Sequence, residues 1–138
     1  MKLVSACLAG KKCRFDGTAK PHAHIIELVK RGQAIAVCPE QLAGLPTPRA
    51  PVELKKGLAH SRDGKDFTLF FELGARKALD IARRFGCNEA ILKARSPSCG
   101  SGLLFDGSFS GKLAKGDGVF AALLKREGIK VISKEELE

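Results

Sequence analysis

Apolar residues in this chain alternate between short unbroken runs and helical spacings. Residues 2–6 make a short apolar run ending in Cys7-Leu8-Ala9-Gly10, the pattern of a buried strand emerging into a loop. Pro21 is placed to open a helix, whose Ile25, Ile26, Leu28 and Val29 precede the stop Arg31-Gly32. Residues 34–37 read as a second buried strand, stopped at Cys38-Pro39 because proline withdraws a ladder donor. The stretch 39–67 has little periodicity, and Pro39, Pro46, Pro48 and Pro51 predict a long, rigid surface loop of the kind that usually carries function. Phe71, Ala75, Ala78, Ala82 and Phe85 then recur at helical steps opposite a basic face of Arg76, Lys77, Arg83 and Arg84, with Gly86 as the stop. Residues 90–93 predict a third buried strand, broken by Ser96-Pro97-Ser98-Cys99-Gly100. A small hairpin is expected from Leu103-Leu104-Phe105 and Ser108-Phe109 around a tight Asp106-Gly107 turn. A helix over 119–126, capped by Gly128, and a strand over 129–132 complete the pattern.

Strands alternating with helices predict an α/β fold. The expectation is a single Rossmann-like domain over residues 1–138, with a mostly parallel sheet, helices on both faces and a small hairpin. A chain of 138 residues, 44% hydrophobic and 28% charged, can build its core without disulfides. No run approaches the roughly 18 apolar residues of a membrane span. Lys11 and Lys12 come before a signal-peptide core could form, so a cytoplasmic location without a membrane partner is expected. The formal charge of +9, from 24 Lys plus Arg against 15 Asp plus Glu, favours a phosphorylated or nucleic-acid ligand, or merely solvates helix faces. Trp and Tyr are absent, and the 8 Phe do not alternate with basic residues, so stable nucleic-acid binding is not expected.

Five cysteines in a chain without an export signal point to metal, cluster or catalytic thiols rather than disulfides. Cys7, Cys38 and Cys99 each follow a predicted strand. In a parallel sheet all carboxyl ends share one edge, where open α/β sheets bind ligands, so the three can converge. No C-x-x-C pair is present, and the spacing matches neither a zinc ribbon nor a ferredoxin. Cys87, at a helix-to-strand junction on the opposite edge, reads as structural. Cys13 lies beyond the strand end in a basic loop and reads as non-ligating. His22 and His24 read as a solvated helix start.

SACLAG at 5–10, RFDG at 14–17, CPEQLAGLPTPRAPVE at 38–53, ILKARSPSCGSG at 91–102 and FDGSFSGKLAKGDGV at 105–119 resemble the thiouracil desulfidase family over nearly the whole chain. The resemblance implies a 4Fe-4S cluster ligated by three cysteines, here Cys7, Cys38 and Cys99, with an open iron for a thiocarbonyl sulfur. It implies Glu40 and Ser96 as the catalytic acidic residue and serine. Asp16, Arg49 and Ser98 are expected to contact substrate, although Ser98 equally suits turn capping and Arg49 suits holding Glu40. Ala43 departs from the family pattern, which has glycine there. The implied reaction is non-redox desulfuration of thiouracil or a thiouridine nucleotide to the oxo-pyrimidine and hydrogen sulfide, with iron–sulfur assembly machinery as a partner. The chemistry agrees: thiolates hold such clusters, an open metal position marks a catalytic site, and a carboxylate can accept a proton from water. Two rivals remain at this level. One is a non-catalytic metal protein whose Cys7, Cys13, Cys38 and Cys99 close a zinc or iron–sulfur site. The other is a thiol enzyme using Cys99 as nucleophile, with Arg95 and a helix N-terminus stabilising the thiolate.

Overall fold

The computed structural model describes residues 1–137. Four short strands, β1 (Lys2–Ser5), β2 (Ala34–Val37), β5 (Glu89–Leu92) and β8 (Lys130–Ser133), pair in parallel in the order β2-β1-β5-β8. Alternation along each strand sends successive residues to opposite faces. Leu3, Ala90 and Leu92 therefore join the layer of α3 (Thr68–Arg84) and α4 (Val119–Arg126), where Phe71 and Phe120 are buried. Val4 and Ile91 face α1 (Ala23–Lys30) through Ile25 and Leu28. The expected α/β fold with helices on both faces is what forms. Among the described residues no helix is long and apolar enough to cross a membrane.

Three local expectations are corrected. Residues 39–67 are not one loop: they contain the short helix α2 (Pro39–Leu42) and an antiparallel hairpin of β3 (Val52–Lys55) with β4 (Leu58–Ser61). Pro39 sits at the first helical position, where its missing N–H costs nothing. The hairpin turns at Lys56-Gly57, both at positive φ (50° and 78°), as a two-residue turn demands. The second hairpin does pair β6 (Leu103–Phe105), but with β7 (Leu113–Lys115), not with Ser108-Phe109. The N–H groups of Gly107 and Phe109 are held by the Glu53 carboxylate at 3.0 and 3.1 Å, which draws them out of a ladder. Helix α1 opens at Ala23 rather than Pro21, because Lys20 and His22 donate to the carbonyls of Cys7 and Leu8 and keep that strap extended.

Candidate active site

The chain steps from β1 to β2 on one side and to β5 and β8 on the other, so the strand order reverses beside β1. The carboxyl ends of strands at such a reversal frame the natural ligand crevice of an open α/β sheet. Three loops meet there. After β1 the chain makes a single 3₁₀ turn, Ala6–Ala9, closed by Gly10 in the left-handed region (φ 96°), with Cys7 buried inside it. After β2, Cys38 caps α2 in extended conformation and Glu40 stands in the first turn. The backbone of α2 lies directly on Gly74 of α3, where a Cβ would fall 2.0 Å from the Pro39 carbonyl oxygen.

The third loop, after β5, is folded by its own hydroxyl and by α4. Ser96 Oγ accepts the N–H groups of Ser98 and Cys99 at 3.1 and 3.0 Å. The first N–H groups of α4, which no helix can satisfy internally, donate to this loop: Val119 to Pro97 O, Phe120 and Ala121 to Ser98 O. Gly118 permits that approach, since a Cβ there would lie 2.4 Å from Ser98 O. Cys99 is thereby locked at the cavity wall.

The loops enclose a cavity of about 480 Å³ whose lining includes Cys7, Cys38, Cys99, Glu40, Ser96 and Arg49. The three strand-end cysteines converge as their topology requires. Cys87 is buried in the α3–α4 layer away from the cavity. Cys13 departs from the sequence reading of a residue beyond the strand end. The basic loop doubles back and buries it in the same cavity as Cys7 and Cys38, 2% exposed. Its N–H donates to Lys11 O, and its carbonyl takes Arg49 Nη2 at 2.8 Å.

These thiols do not share one acidity. The hydrogen bond with Cys13 holds Cys7 below the ordinary thiol value, helped by the Lys93 ammonium. Contact with Cys13, and then burial, push Cys38 up; burial pushes Cys99 up to about 12. For Cys13 the contact with Cys38 lowers, but Cys7 and burial raise, and the balance is upward. Cys99 is thus poorly disposed as a free nucleophile. Arg95, moreover, pairs with Glu135 at 2.9 Å, and the α4 amides are occupied by Pro97 and Ser98. The thiol-enzyme rival loses both supports.

Glu40 is held on both of its oxygens. Its side chain is 15% exposed; Oε1 accepts from Arg49 Nε at 3.0 Å and Oε2 from Ser98 Oγ at 3.1 Å. Arg49, 8% exposed, also donates to Thr47 Oγ1, Pro46 O and Cys13 O. Of the two partners the sequence offered Arg49, Glu40 is the one it meets. Ser98 is fully buried behind Glu40 and is not part of the cavity lining. Asp16 is not part of it either: its carboxylate takes the N–H and hydroxyl of Thr18 and closes its own turn. Residues missed in the sequence are Lys20, Lys93, Phe15 and Phe105, all cavity-lining. Lys93, one residue past β5, was legible from strand-end placement alone.

The donor set suits a cluster better than a single ion. A tetrahedral zinc with about 2.3 Å bonds needs its sulfurs about 3.8 Å apart. Among the described residues no three Cys, His, Asp or Glu side chains close around one point in that way. Cys7, Cys38 and Cys99 on one cavity supply the thiolate donors that iron–sulfur clusters take.

Comparison with known proteins agrees. The sequence profile of the 2-thiouracil desulfurase family matches residues 3–136. The uncharacterized protein YbbK of Bacillus subtilis (strain 168) is 42% identical over 147 aligned positions, covering 99% of this chain and 97% of that protein. A solved structure of the 4Fe-4S-dependent thiouracil desulfidase TudS is 42% identical and superposes with a TM-score of 0.93, over 98% of this chain and 91% of that one.

Proposed function

This chain belongs to the 2-thiouracil desulfurase family, and from that premise we propose that it removes sulfur from a thiolated pyrimidine at a 4Fe-4S cluster held by Cys7, Cys38 and Cys99. The observation that carries the reading is the convergence of these three thiols with Glu40 on one cavity at the strand-order reversal. When bound, the cluster supplies an open iron, a Lewis acid that polarises the C=S bond and makes the ring carbon electrophilic.

The protein groups then act on water. Each Glu40 oxygen already accepts one hydrogen bond, which fixes the carboxylate plane, and each keeps a lone pair for a water proton. Glu40 is therefore the general base. Ser96 Oγ accepts two backbone N–H groups, so its one hydroxyl proton remains to donate towards the substrate or the attacking water. Arg49 and Ser98 position Glu40. Water adds, the oxo-pyrimidine and hydrogen sulfide leave, and no electrons are exchanged overall, so the C–S cleavage is hydrolytic.

A thiouridine nucleotide suits the cavity better than the free base, because Arg14, Lys20 and Lys93 line it as well. Arg49, committed to Glu40, gives up the phosphate-clamping role to them. The reading also implies loading by iron–sulfur assembly machinery and a cytoplasmic location. Anaerobic reconstitution followed by iron counting and turnover of thiouracil and thiouridine monophosphate tests it. Wild-type chain should load and turn over, Cys7→Ser, Cys38→Ser and Cys99→Ser should not load, and Cys13→Ser and Cys87→Ser should. Wild-type protein that takes up no iron, or a Cys13 variant that loses it, would overturn the three-ligand assignment.

A further inference from the structure

Three ligand thiols leave Cys13 without a task, yet the fold holds it firmly in the cavity. Its side chain lines the same cavity as Cys7 and Cys38, and Cys38 Sγ lies 3.9 Å from its carbonyl oxygen. Hydrogen bonds to Lys11 O and from Arg49 Nη2 pin its backbone on both sides, so the residue stays at the cavity wall. Cys38 is partly exposed, and the cavity admits small solutes to all of these sulfurs. The remaining cysteine, Cys87, is buried in another layer.

Resting on the cluster reading above, we propose that Cys13 is a resolving cysteine, which locks the iron-free site as a reversible disulfide with Cys7 or Cys38 when hydrogen peroxide reaches it. The ligand sulfur attacks a peroxide oxygen; the O–O bond breaks, one water leaves with the thiol proton, and a sulfenic acid forms. The Cys13 sulfur then attacks the sulfenic sulfur. An S–S bond replaces the S–O bond, and the second water carries away the Cys13 proton. Two thiols and one peroxide become one disulfide and two waters. Without a resolving thiol a second peroxide oxidises the sulfenic acid to sulfinic acid, releasing another water, and ordinary thiol reductants do not reverse that state. With the Cys13 thiol in the same cavity, oxidation stops at a state that cannot bind iron but can be reopened.

The test treats the iron-free chain with a few equivalents of hydrogen peroxide, since sulfinic acid needs two per thiol and a disulfide only one, then maps peptides and reloads iron after a dithiol reductant. Trypsin cuts at Lys11 and Lys12 and so separates Cys7 from Cys13. Wild-type protein should lose two hydrogens, join the Cys13 peptide to that of Cys7 or Cys38, and regain its full iron content after reduction. Cys13→Ser should gain two oxygens on one ligand cysteine, as the sulfinic acid, and stay unable to load. A disulfide that leaves Cys13 free, or a Cys13→Ser chain that recovers fully, would overturn the proposal. Wild-type chain that loads no iron before peroxide is added would instead sink the cluster reading, while the peptide map still decides the role of Cys13.

Discussion

Alanine at Gly74 is the sharpest probe of how the fold places the site. Position 74 lies on α3 where the backbone of α2 crosses it, and a Cβ there would sit 2.0 Å from Pro39 O, 2.8 Å from Pro39 C and 3.2 Å from the Ala43 Cβ. An ordinary carbon–oxygen contact is about 3.3 Å, so α2 must retreat by about 1.3 Å. Overpacking of this kind costs about 1–3 kcal/mol, while alanine in place of helical glycine contributes about 1 kcal/mol in return. The net loss of stability is about 0–2 kcal/mol, too little to unfold a typical domain. Function should suffer far more. Cys38 and Glu40 flank the displaced Pro39, and a misplacement of about 1 Å near the chemistry costs on the order of a hundredfold in rate. Urea unfolding of the iron-free chain, iron content after anaerobic reconstitution, and kcat/KM for thiouracil measure the three terms. Gly116→Ala is the control, since a Cβ there meets only Leu104 at 3.6 Å. A Gly74→Ala protein with wild-type iron content and kcat/KM would refute the claim that this close approach sets the geometry of α2.

Other outcomes follow from the same geometry. Glu40→Gln should keep the cluster but lose roughly a hundred- to ten-thousand-fold in turnover, because an amide accepts no proton at neutral pH; wild-type rates with iron intact would remove Glu40 from the mechanism. Arg49→Met should destabilise the chain by about 3 kcal/mol, since it strands a buried carboxylate, and adding Glu40→Gln should restore part of that loss in urea melts. Unchanged stability of the single variant would mean the pair is solvated. The kcat/KM advantage of a thiolated nucleotide over its free base should shrink between 0.1 and 1 M salt, as the screening length falls from about 10 to about 3 Å. Lys93→Met should reduce the advantage at low salt, and equal values for both substrates there would dismiss the phosphate contacts.

Much of this protein was legible without coordinates. Parallel strands place all their carboxyl ends on one edge, so Cys7, Cys38 and Cys99 were bound to meet once the strands before them were recognised. Periodicity located α3 and α4 because one face of each is buried against the sheet. The motifs around Cys38 and Cys99 named Glu40 and Ser96 beside them. Tertiary structure decided the rest. Cys13 enters the cavity because its loop is drawn back by Arg49, a residue 36 positions away, and no local spacing encodes that path. Arg49 itself could not be apportioned between substrate and Glu40, nor Ser98 between capping and catalysis, because each choice depends on which buried partner lies within about 3 Å. The β3–β4 hairpin was hidden among prolines, its only local cue a Lys56-Gly57 turn. Sequence determined which side chains share the sheet edge, since that follows from alternation and chain direction. Only the packed structure decided which of them touch, since that depends on contacts between residues far apart along the chain.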